Sequence, residues 1–155
     1  MLIGIDPLLS PDLLRILRAM GHGDEIVIAD ANFPAEACAN RLLRADGIDA
    51  PQMLAAILSV MPLDTYDDTP ANVMQIVGKP DEVPPVVALF QSTINDYADT
   101  PATLGSIERF AFYERAKTAF AIIQTGERRL YGNIVLKKGV VRPNQAGPEK
   151  IVRDQ

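Results

Sequence analysis

The order of apolar runs and turn signals along this chain predicts an α/β protein, with a sheet held between two helical layers in one three-layer α/β/α domain. Three observations carry that reading. Short aliphatic runs, such as residues 25–30 and 120–123, alternate with segments of helical apolar spacing. Helix-start signals stand in the gaps, as in Ser10-Pro11-Asp12 and in Asp49 with Pro51. The third is size: 155 residues of 48% hydrophobic content suit one domain, which buries roughly 70% of its unfolded surface.

Taken in order, Ser10 is a capping residue, Pro11 suits the first helical position, and Asp12 lies near the positive dipole end. Leu13, Leu14, Ile16, Leu17 and Met20 then form an apolar helical face that Gly21 stops. Residues 25–30 read as the first strand. It alternates so little that a central place, covered on both faces, is expected. Asn32-Phe33-Pro34 opens a short helix over 34–40, and residues 41–44 read as a short strand closed by Asp46-Gly47. The helix begun at Asp49 turns Met53, Leu54, Ile57, Leu58 and Met61 inward and ends at Pro62. Residues 65–70 are a polar loop, 73–77 a strand, and Gly78-Lys79-Pro80 a turn. A helix over 84–97 is expected to bury Val86, Leu89 or Phe90, Ile94 and Tyr97. A strand at 106–109, a helix at 110–119, a strand at 120–123 and a last strand at 133–136 complete about six strands and five helices. The domain is expected to span 1–141, with a loosening tail over 142–155.

Composition removes several function classes. Fifteen Lys and Arg against 20 Asp and Glu give a net charge of −5, which argues against a nucleic-acid surface. One cysteine, Cys38, and one histidine, His22, provide neither an intrachain disulfide nor a zinc ligand set. No phosphate-binding glycine loop of the Walker or dinucleotide type occurs. The N-terminus lacks a basic region and carries Pro7, so it does not read as a signal peptide, and no apolar run approaches membrane-span length. A cytoplasmic protein without metal, cofactor, membrane or nucleic-acid partner is the expectation.

His22 is the most informative residue. It lies between Gly21 and Gly23, whose backbone freedom lets the ring project from a tight helix-to-strand turn, and imidazole transfers protons near neutral pH. Asp30 ends the strand that follows, at the carboxyl end where open α/β sheets bind ligands. It also suits a cap for the turn at residues 32–34. Six strand residues would hold His22 and Asp30 roughly 20 Å apart, so they share a site only if loops fold back or a second subunit supplies one of them. Arg109 offers planar donors to sugar hydroxyls or a carboxylate, or else a structural salt bridge. Tyr131, Gly132 and Asn133 join a phenol, an accessible backbone and a donor–acceptor amide, a set suited to a polyol. A plain strand-entry turn with Gly132 at positive φ is the alternative. Proton transfer with hydroxyl recognition and no cofactor points to isomerisation, epimerisation or simple hydrolysis.

Gly21-His22-Gly23-Asp24-Glu25 with residues 30–34, Arg44-Ala45-Asp46-Gly47, residues 109–116, Thr125-Gly126-Glu127, Tyr131-Gly132-Asn133-Ile134 and residues 136–140 together resemble the fucose mutarotase and ribose pyranase family. The matches run in order over nearly the whole chain, and the block at 109–116 with glycine at 132 resembles the fucose branch. The resemblance implies a three-layer α/β/α fold with a mixed sheet of about six strands and cofactor-free exchange of sugar anomers. It also implies pentameric rings paired as decamers, with sites at subunit boundaries. By motif match, His22 would be the proton donor, while Asp30, Arg109, Tyr131, Gly132 and Asn133 would hold the sugar, expected to be L-fucose. Asn32 stands where some relatives carry histidine, so no second imidazole is available. Ribose pyranase activity and a non-catalytic sugar-binding accessory function are the alternatives.

Overall fold

The computed structural model describes residues 1–145, and the rest of the expected tail lies outside the described residues. Helices α1 (Pro11–Ala19), α2 (Ala35–Cys38), α3 (Ala50–Leu58), α4 (Pro85–Tyr97) and α5 (Arg109–Thr118) are interleaved with six strands. The strands are β1 (Glu25–Ala29), β2 (Leu42–Ala45), β3 (Ala71–Met74), β4 (Gly105–Ile107), β5 (Ala121–Thr125) and β6 (Ile134–Lys137). The capping signals act as read: the Ser10 side chain accepts from Leu13 N–H, and Asp49 forms a capping box with Gln52, each cap worth about 1 kcal/mol.

The strands form one sheet in the order β2-β5-β1-β6-β3-β4. β1 and β2 each pair in parallel with β5, and β3 pairs in parallel with β4. β6 lies between β1 and β3, antiparallel to both. Five strands therefore deliver their C-terminal ends to one edge of the sheet, and β6 alone begins there.

Alternating side chains on the strands feed two cores. Ile26 and Ile28 of β1 pack with Leu13 of α1, Leu54 of α3 and Phe90 of α4. Val27 and Ala29 face the other way, against Ala35 of α2 and Phe112 of α5. The result is the three-layer α/β/α arrangement with a mixed sheet, and β1 is central and buried on both faces as expected.

Some boundaries differ from expectation for identifiable reasons. β3 stops at Met74 because Gly78, at φ 76°, turns the chain and leaves Ile76 bridged to Lys79. β4 stops at Ile107 because the Glu108 side chain accepts from Phe110 and Ala111 N–H and caps α5. Arg109 is thus the first residue of a helix rather than the last of a strand. In α4 the inward face is Val86, Val87, Phe90 and Ile94, so Leu89 and Tyr97 point to solvent, contrary to the expected burial of Tyr97. Residues 86, 90 and 94 are four apart, which keeps them on one face.

Candidate active site

Candidate site residues gather at two opposite edges of the sheet. At the carboxyl edge, Asp30 follows β1 and Asn133 precedes the neighbouring β6. Pairing of these strands brings together residues 103 positions apart. Oδ1 of the Asn133 side chain accepts from Asp30 N–H at 2.9 Å, and its Nδ2 donates to Asp30 Oδ2 at 3.0 Å. Asp30 Oδ1 accepts from Asn32 N–H at 2.9 Å, so the residue caps its turn and also lines the site. Asp30 is 5% exposed and Asn133 4%. Burial pushes the Asp30 carboxyl above its ordinary value, and the Asn32 and Asn133 donors pull it only part of the way back.

Arg109, at the start of α5, and Tyr131 complete this edge. They line an open pocket of about 210 Å³ with Asp30, Asn133, Phe33 and Tyr113. The Arg109 guanidinium lies 5.6 Å from the Tyr113 ring centre, within cation–π range, and hydrogen bonding to Tyr113 raises its pKa further. Among the described residues no carboxylate forms an ion pair with Arg109, so the structural salt bridge is not what it makes. The phenol of Tyr131 accepts from Val77 N–H at 3.3 Å.

The expected strand-entry turn is present, but its left-handed residue is Tyr131, at φ 63°, and not Gly132. A bulky residue held there is strained, and such strain is kept at functional sites. Glycine is needed at 132 for space instead: a Cβ would lie 2.6 Å from Glu127 Cγ and 3.2 Å from the Arg129 carbonyl oxygen.

His22 occupies the amino edge, on the turn between α1 and β1. Gly23 takes φ 84°, a conformation glycine adopts without penalty. Lys138, just past β6, clamps this turn: its carbonyl accepts from Gly23 N–H, its N–H donates to Asp24 O, and its Nζ donates to Leu17 O and Met20 O. The ring of His22 is 47% exposed, and its Nε2 lies 3.2 Å from Oδ1 of buried Asp64. Burial acts to raise the Asp64 carboxyl, but the Tyr66 N–H and His22 donors outweigh it and hold the group below its ordinary value. Tyr66 stands beside the imidazole, ring centres 5.6 Å apart.

The structure thus brings Asp30, Arg109, Tyr131, Gly132 and Asn133 together and leaves His22 apart, across five strand residues or about 17 Å. Sequence reasoning missed Tyr113 and Asp64. Tyr113 lies four positions after Arg109 in a helix, the spacing that shares a face, and that signal was available. Among the described residues no cluster of three His, Cys, Asp or Glu side chains is placed to hold a metal ion.

Known proteins resemble this chain closely. A model of the RbsD / FucU transport protein family matches residues 3–141. Fucose mutarotase of Mus musculus is 51% identical over 144 residues, which cover 89% of this chain and 94% of the relative. L-fucose mutarotase of Histophilus somni is 46% identical, with 90% and 97% covered. The crystal structure of the Streptococcus pneumoniae fucose mutarotase in complex with L-fucose superposes with a TM-score of 0.84 at 47% identity, covering 91% of this chain and all of that one.

Proposed function

The chain belongs to the RbsD / FucU transport protein family, and from that premise we propose that it is an L-fucose mutarotase, an isomerase that interconverts the α and β anomers of the free sugar. The observation that carries the reading is the Asp30–Asn133 pair opening onto a pocket walled by Arg109, Tyr113 and Tyr131. Each group there donates, accepts or offers an aromatic face, which suits a ring carrying several hydroxyls. The names of relatives near 50% identity, and the L-fucose bound by the Streptococcus pneumoniae protein, support the choice of sugar.

Exchange requires a proton on the ring oxygen and removal of the proton from the anomeric hydroxyl. The C1–O5 bond then breaks to give the aldehyde, the C1–C2 bond turns, and closure returns both protons. We assign the acid to His22. Asp64 accepts from Nε2–H and fixes the ring, which leaves Nδ1 to exchange the proton with the sugar. Asp30, or a water it holds, takes the hydroxyl proton. No cofactor is needed.

One protomer cannot do this, since the acid and the pocket face opposite edges. The proposal therefore includes a head-to-tail contact in which the amino edge of one copy covers the carboxyl edge of the next. A contact of this kind closes into a ring where its rotation closes, which would be in keeping with pentameric rings paired as decamers. One feature favours it: large apolar side chains are exposed at both edges, Tyr66, Val140 and Val141 near His22, and Phe110 and Leu130 near the pocket. The single cysteine and a chain without a long apolar helix among the described residues suit a cytoplasmic protein.

Saturation-transfer NMR on L-fucose tests the function. The protein is expected to accelerate anomer exchange, and His22→Ala to slow it by about 10²–10⁴ with the circular-dichroism spectrum unchanged. Pyranose–furanose exchange on D-ribose without exchange on L-fucose would reassign the protein to ribose pyranase. Binding without acceleration would make it an accessory sugar-binding protein.

A further inference from the structure

Thr125-Gly126-Glu127 lies at the end of β5, and the acid in it takes no part in the proton transfers above. Glu127 does not line the sugar pocket. Its side chain is nevertheless 2% exposed, and a carboxylate that deep must be satisfied on every side. It is: Oε1 accepts from Arg129 N–H at 2.8 Å and Arg129 Nε at 2.8 Å, and Oε2 accepts from Arg129 NH2 at 2.7 Å and Ala50 N–H at 3.3 Å. The Arg129 contacts hold its pKa at about 2, so it remains charged across the working range.

We infer that Glu127 is the positioning residue of the sugar pocket, fixing both of its walls without touching the sugar. On one side its carbonyl oxygen accepts from Ala31 N–H at 2.9 Å, next to Asp30. On the other side its carboxylate ties down Arg129, from which the chain runs through Leu130 to left-handed Tyr131, while its Cγ fills the space a side chain at 132 would need. Below, its N–H donates to Thr125 Oγ1, which donates in turn to Ala29 O at the end of β1. The carboxylate thus ties the N-terminus of α3 and, through Arg129, the approach to β6, while the main chain of the same residue holds the exit of β1. Arg129 supplies a planar fork that matches both carboxylate oxygens. Loosening either partner releases the turn that holds Tyr131, while Asp30 and Asn133 stay bonded to each other.

This inference rests on the sugar-exchange reading, and the test separates the two. Glu127→Gln keeps the volume but turns an amide donor toward Arg129. It is expected to raise the half-saturating L-fucose concentration at least about tenfold and to change the maximal exchange rate much less, because the groups that move protons remain. The circular-dichroism spectrum is expected to stay as in the wild type, which a general loss of structure would not allow. Should Glu127→Gln fail to fold, Arg129→Lys decides: it keeps the charge but loses the fork, and a several-fold rise in half-saturation is expected. An unchanged half-saturation in whichever variant folds overturns the inference. Wild-type protein that neither binds nor exchanges L-fucose overturns the functional reading itself.

Discussion

The two edges of the sheet differ in how firmly their chemistry is held. At the carboxyl edge Asp30 and Asn133 are buried, bonded to each other twice, and backed by Glu127. At the amino edge the His22 ring is half exposed, and one bond to Asp64 orients it. On the proposed reading, the first edge is preorganised for recognition before a sugar arrives, and the second presents a proton carrier on a surface that water still reaches. Electrostatic and proton-transfer chemistry gains most where water is excluded, so the exposed edge is the incomplete one. In the proposed head-to-tail contact the cover comes from the opposite edge of another copy, which exposes apolar side chains of its own.

The most direct way to break this comparison is to supply the edges from different chains. His22→Ala and Asp30→Asn protomers, each expected to be depressed by about 10²–10⁴, should regain activity when co-expressed. With random assembly about a quarter of the contacts join two intact edges, so exchange should recover to near that fraction of wild type. A mixture no faster than its components would mean that each chain uses its own histidine, and the head-to-tail site would fall.

Asp64 tests the weaker edge alone. Asp64→Asn removes a charged acceptor from the imidazole, and hydrogen bonds to charged groups are worth about 1.5–3 kcal/mol. The maximal rate of L-fucose exchange should fall by roughly 10–100-fold, with little change in half-saturation because the pocket is untouched. A loss seen mainly in half-saturation would place Asp64 in sugar binding instead. Gly132→Ala probes the rigid edge in the same terms. The added Cβ meets Glu127 Cγ and the Arg129 carbonyl, an overpacking expected to cost about 1–3 kcal/mol. Thermal denaturation should register it, together with weaker sugar binding and an unchanged circular-dichroism spectrum below the transition.

The same contrast explains what the sequence could disclose. Asp30 was legible because it ends an apolar run, at the carboxyl end where α/β sheets bind ligands, and Asn133 because it completes a phenol, glycine and amide set suited to hydroxyls. That they bond to each other was not, since β6 had to pair antiparallel beside β1 to close a separation of 103 positions. His22 was legible from its two glycines and from being the sole imidazole. Asp64 was silent, because nothing local to residues 62–66 announces a contact 42 positions away. At the turn before β6, glycine drew attention to the wrong dihedral: Gly132 supplies room, while Tyr131 bears the strain. The α4 face shows the remaining limit. Periodicity alone left Leu89 and Phe90 open, and only the layer above α3 fixes which one turns inward.

The smallest expected effect is a displacement along the pH axis. Asp30 must be ionised to accept the hydroxyl proton, so exchange should fall as pH drops through its pKa. Burial raises that value above the ordinary 3.8 of an aspartate, while the Asn133 amide, which favours the charged form, lowers it. The acid limb of the maximal rate should therefore lie above 3.8 in the wild type. In Asn133→Ala it should move to higher pH still, because a donor that stabilised the carboxylate is gone and the burial remains. At the midpoint the rate is about half its plateau, a modest change that is diagnostic in sign. A limb that moves to lower pH in Asn133→Ala, or that stays where it was, would show that the group titrating there is not Asp30, and the firmly held edge would then recognise the sugar without taking its proton.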